Sequence, residues 1–163
     1  MVPFPGSISA GWRKYKNMAS HNKKIPDMWN YQSREIEGWL ENKGFQVTYG
    51  TDLQDAVCFA LKMVTINSRQ RSENRYYTLL HEAGHVLISQ TASKFEAEHP
   101  MYASSSDRRV TKSKAYQVSL ISEEIEAWKR GRRLANRFDH EIDNDKYDRV
   151  MATCVMSYIE NVV

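Results

Sequence analysis

Residues 73–90 constrain this chain more than any other stretch. Tyr76, Leu79, Leu80, Ala83, Val86 and Leu87 recur at i, i+3, i+4 and i+7, the spacing that gives a helix one apolar face. Ser72 and Glu73 just before them offer an N-cap and a first-turn acid, which predicts a helix over 73–90 at the centre of the molecule.

The flanking sequence supplies partners for it. Trp29, Ile36, Trp39 and Leu40 recur near helical spacing and Gly44 follows as a stop, predicting a helix over 27–42. Residues 45–49 alternate apolar and polar before Gly50, and a second β-rich run covers 57–66, with a break near 60–62 where the alternation changes phase. Two more helices are predicted over 119–138 and 143–162. Between the central helix and these, residues 91–118 are polar and read as a long loop, with weak β content at 109–111 and 116–118 and a tip at 104–109. Residues 1–25 read as an irregular arm, and 26–163 as one domain, since two domains in 163 residues would each be too small for a comfortable core.

The central helix carries His81-Glu82-Ala83-Gly84-His85, an H-E-x-x-H sequence. On a helix, positions i and i+4 share a face, so both imidazoles reach one zinc ion at about 2.0 to 2.1 Å. Glu82 is rotated by about 100° and stands where a general base for an activated water belongs. Ala83 and Gly84 keep bulk away from the ion.

A catalytic zinc needs a third protein ligand and an open position. Thr91 and Ile88 exclude the longer metzincin form of the motif. In the helix over 119–138, Glu124 falls in the middle of the apolar stripe formed by Leu120, Ile121, Ala127, Trp128, Gly131, Leu134, Ala135 and Phe138. A carboxylate there is costly unless paired or metal-bound, which makes Glu124 the leading third ligand. Glu123, at the stripe's edge, and His99, in the loop after the central helix, remain alternatives. Glu126 faces away, toward Arg130, Arg133 and Arg137, as an ion-pair residue.

Charge and cysteine usage bound the remaining classes. The net charge of +3 is small but uneven: residues 107–137 hold nine Lys+Arg against four Asp+Glu, and residues 138–163 two against six. Such blocks are most often solvated helix faces, with nucleic acid a less favoured partner. Cys58 and Cys154 lie 96 positions apart and form no C-x-x-C pair, which reads as two reduced thiols. No apolar run approaches the roughly 18 residues of a membrane span, and the first residues lack the features of a secretory signal, so a cytoplasmic location is expected.

Tyr77-Thr78-Leu79-Leu80-His81-Glu82-Ala83-Gly84-His85, preceded by Val64-Thr65-Ile66-Asn67-Ser68 and followed by Glu123-Glu124-Ile125-Glu126-Ala127-Trp128, resembles the gluzincin-type zinc metallopeptidases. Within these it is most similar to small phage and bacterial metallopeptidases related to the ImmA/IrrE group, over roughly residues 45–138. The resemblance implies an α+β, minimal zincin-like domain: a small β-sheet packed on the H-E-x-x-H helix, with further helices before and after. It also implies that the E-x-E-A sequence at 124–127 gives the third ligand, Glu124. A regulatory protein in a phage or mobile-element setting is the implied substrate, with the chain itself in the host cytoplasm if it is phage-encoded. The 39 positions between His85 and Glu124 exceed the usual gap in that group.

The function expected from these residues is zinc-dependent hydrolysis of a protein or peptide, with zinc on His81, His85 and Glu124 and Glu82 as general base. The strand ending near Ile66 would be the edge that pairs with substrate, and Tyr102, Tyr116, His99 and His140 are candidate donors to the oxyanion. The alternative is a non-hydrolytic, zinc-stabilised module that binds nucleic acid or a protein through its basic block; retention of Glu82 argues against it. A nucleobase deaminase is excluded by the lack of a P-C-x-x-C partner, and no serine or cysteine hydrolase setting is present.

Overall fold

A computed structural model describes residues 27–100 and 108–160. The predicted N-terminal arm, Tyr102 and most of the predicted loop tip lie outside these residues. The fold is α+β: α1 (Met28–Asn42), β1 (Gln46–Gly50), β2 (Ala56–Cys58), β3 (Met63–Asn67), α2 (Ser72–Ser89), α3 (Ala92–Glu98), α4 (Arg108–Thr111), α5 (Lys114–Arg137) and α6 (Asn144–Glu160).

Local chemistry sets the entry into the sheet. The Asp27 side chain caps α1 by accepting from the Trp29 N–H at 3.2 Å. At the other end the Gly44 N–H reaches the Glu41 carbonyl and the Phe45 N–H the Leu40 carbonyl. This is a Schellman stop that requires the left-handed backbone of Gly44, at φ +84. Leu40 and Phe45, brought together by that turn, are both buried.

The three strands stand in the order β1-β3-β2, with β1 parallel and β2 antiparallel to β3. The predicted break in the second β run is the turn between β2 and β3, where Lys62 takes a positive φ of 51. Val64 and Ile66 on β3 are fully buried. Because β3 is paired on both sides, the strand ending near Ile66 is not an edge; β1 and β2 are. Periodicity placed β3 correctly, but only pairing reveals which strand lies in the middle.

The central helix is covered on more than its predicted stripe. From Tyr76 to Gly84 every residue of α2 is buried, because α1 and the sheet cover it on one side and α5 on another. Trp29 of α1 packs edge-on against Tyr77 at 5.6 Å between ring centroids. Tyr147 of α6 packs against Tyr77 and donates its hydroxyl to the Trp128 carbonyl at 2.8 Å. The Ser72 cap is not realised: Arg71 occupies the N-cap and makes no side-chain capping bond.

Two glycines set how closely α2 and α5 approach. A Cβ on Gly84 would lie 2.0 Å from the Ala127 carbonyl oxygen, and one on Gly131 2.3 Å from the Leu80 carbonyl oxygen. Gly84 therefore admits the backbone of the neighbouring helix, rather than sparing the ion as its position in the motif implied.

The region predicted as a long loop with β content is largely helical. Residues 92–98 form α3, 108–111 form α4, and α5 begins at Lys114, five residues before the predicted start. Ser113 caps α5 by accepting from the Tyr116 N–H at 3.1 Å. This stretch buries little: Phe95 is the only buried residue of α3, and Val118, in the first turns of α5, is 62% exposed. A helix anchored by one apolar side chain leaves almost no periodic signal. Among the described residues, no helix is long and apolar enough to cross a membrane.

Candidate metal centre

His81 and His85 lie on one face of α2, and the close α2–α5 approach brings Glu124 of α5 against them. Their ligand atoms all lie within 4.8 Å of one another, a group that could hold a metal ion. His81 Nε2 stands 3.2 Å from His85 Nε2 and 3.2 Å from Glu124 Oε2, and His85 Nε2 stands 3.6 Å from Glu124 Oε1. Ligands about 2.0 to 2.1 Å from a tetrahedral ion are separated by about 3.3 Å, so these spacings fit three corners of such a site.

The surrounding residues fix the two rings. His85 Nδ1 faces Glu123 Oε1 at 3.2 Å, which assigns the proton to Nδ1 and turns the Nε2 lone pair toward the centre. Glu123 is therefore placed to orient a ligand; helical spacing marks it only as an alternative third ligand at the edge of the apolar stripe. His81 is held differently: its ring stacks on Trp128 at 4.5 Å with an interplanar angle of 21°, and its buried Nδ1 has no hydrogen-bond partner among the described residues.

The electrostatics of the protein groups alone favour positive charge at this site. Burial lowers the pKa of His81. Burial acts the same way on His85, but hydrogen bonds to Glu123 and Glu124 outweigh it and carry the imidazole up to about 10. Glu124 loses solvation as well, yet its bonds to the two histidines hold its carboxyl down at about 2. A proton on His85 thus supplies part of the charge that a cation would bring. Burial pushes Glu82 up to about 8. Glu82 is only 4% exposed, and it makes no hydrogen bond to another described residue.

These groups open on a cleft of about 460 Å³ walled by the β2–β3 hairpin, α2, α5 and α6. Tyr158 of α6 lines it beside Glu124; burial and that carboxylate raise its pKa. The terminal helix carried no diagnostic motif, so nothing in the sequence singled out Tyr158.

The other candidates are elsewhere. His99 packs against Phe95 and lines a separate cavity with Lys94 and Lys129. His140 is buried between Tyr76, whose hydroxyl meets Nδ1 at 2.7 Å, and Glu35, whose Oε2 meets Nε2 at 2.8 Å. Neither His140 nor Tyr116 lines the cleft. Glu126 has the predicted ion-pair role, with Oε1 2.8 Å from Arg130 Nε and 2.7 Å from Arg133 Nη2. No protein-family model, curated protein or solved structure matches the chain.

Proposed function

We propose that this chain is a zinc-dependent peptidase of the gluzincin type, acting on a protein or peptide substrate. The observation that carries the reading is the juxtaposition of three correctly spaced ligand atoms with a buried Glu82 that accepts no hydrogen bond among the described residues, on the wall of one cleft. A centre that only stapled the fold would have no use for such a carboxylate.

Zinc on His81, His85 and Glu124 would lower the pKa of a coordinated water toward about 7 and polarise a scissile carbonyl. Glu82 takes the proton of the attacking water and returns it to the leaving amine, a transfer suited to a carboxylate whose pKa lies near neutrality. Tyr158 is the donor to the developing oxyanion in place of Tyr116, His99 and His140, because it lines the cleft beside the ligand carboxylate and they do not. An extended substrate pairs along β2, the edge strand whose Ala56 and Val57 wall the cleft.

The test compares zinc-loaded wild type, Glu82→Gln and Tyr158→Phe on a peptide library read by mass spectrometry. Glu82→Gln should keep its zinc and lose roughly 10²- to 10⁴-fold in cleavage rate. Tyr158→Phe should lose kcat with little change in KM. Cleavage at the wild-type rate by Glu82→Gln would remove Glu82 as the general base, and no cleavage by zinc-loaded wild type would leave the non-hydrolytic module as the better reading.

A further inference from the structure

The walls of the cleft carry a charge pattern that bears on what enters it. Of the 23 Lys and Arg in the chain, none lines the cleft among the described residues, whereas Asp55, Glu82 and Glu124 all do. A divalent ion, which itself favours the ionised form of Glu82, would leave these three carboxylates one negative charge in excess, and Glu123 adds another behind His85. Resting on the peptidase reading above, we propose that the cleft selects a peptide bearing a lysine or arginine side chain, with Asp55 as the specificity-determining residue.

Asp55 stands immediately before edge strand β2, where a paired substrate must pass. Its carboxylate is held by neutral donors alone: Oδ1 accepts the Asn67 N–H at 2.6 Å and Oδ2 the Gln70 side-chain amide at 2.7 Å. Gln70 is itself fixed by the Thr78 hydroxyl of α2 at 3.2 Å. Neutral donors orient the charge without cancelling it, and no lysine or arginine among the described residues pairs with it. Preorganised, uncompensated charge of this kind discriminates partners by sign. Glu82, buried and without a hydrogen bond to another described residue, gives the cleft a second acceptor.

The basic block does not argue the other way. Arg130 and Arg133 turn to Glu126, and Arg132 turns to Asp148. Gln90, Arg133 and Arg137 face a different cavity.

Peptide hydroxamates identical except for one side chain, lysine, leucine or glutamate, anchor on the ion and isolate the preference. Titrated into the zinc-loaded full chain at low salt, the lysine compound should bind about fivefold more tightly than the leucine compound, and the glutamate compound most weakly. Added salt should shrink the difference. Asp55→Asn should keep its zinc and its affinity for the leucine compound while losing the lysine advantage. Equal binding of the three, or a lysine advantage that survives Asp55→Asn, overturns the proposal. If none of the three binds, the metal-centre reading fails with it. A lysine preference in a protein that cleaves no peptide would uphold the selectivity and remove the hydrolytic reading alone.

Discussion

Glu123 and Glu124 are adjacent in sequence, but one turns its carboxylate to the outer nitrogen of His85 and the other to both inner nitrogens. Their roles should separate experimentally. Glu123→Gln should weaken zinc by about 10- to 100-fold while keeping the site, as expected for a group that orients a ligand. Glu124→Ala should abolish tight binding, and competition against a chromophoric chelator measures both. Glu124 was legible in the sequence because a carboxylate in the middle of an apolar stripe demands an explanation. Glu123 was not, because its role depends on where the His85 ring points, which helical spacing alone does not specify.

At the level of elements, metal binding depends on how closely two helices approach. Gly84→Ala forces a Cβ into the Ala127 carbonyl, and α5 must move away with Glu124 attached. The variant should lose about 1 to 3 kcal/mol of stability by chemical denaturation and bind zinc more weakly than wild type. The helices 27–42 and 73–90 and the strand break near Lys62 were readable because burial there imposes a period. α3 was not, since Phe95 alone anchors it, and the start of α5 depends on the Ser113 cap rather than on apolar spacing. The identity of the edge strand was also hidden, because sheet order is set by pairing between distant segments.

For the whole molecule, the site and the fold are linked through protons. In the metal-free chain His85 has a folded pKa of about 10 against an ordinary 6.5. Its contribution is therefore complete below pH 6.5 and lost as pH rises toward 10. Glu82, raised from 4.5 to about 8, acts with the same sign over its own range. Glu124, lowered from 4.5 to about 2, weakens the protein only as pH falls below about 4.5. Metal-free protein should thus lose Tm between pH 6.5 and 9. Zinc requires the His85 proton to leave, so the rise in Tm on adding zinc should grow over the same interval. Thermal melts with and without zinc across that range check both slopes; a zinc effect that shrinks with rising pH would contradict the assigned protonation.

The most direct measurement is the equilibrium zinc affinity and stoichiometry of wild type, Glu82→Gln and Glu124→Ala. One tightly bound ion per chain is expected in the first two and none in the third. Unchanged stoichiometric binding by Glu124→Ala, or no tight binding by wild type, would contradict the assignment of His81, His85 and Glu124 as a zinc centre.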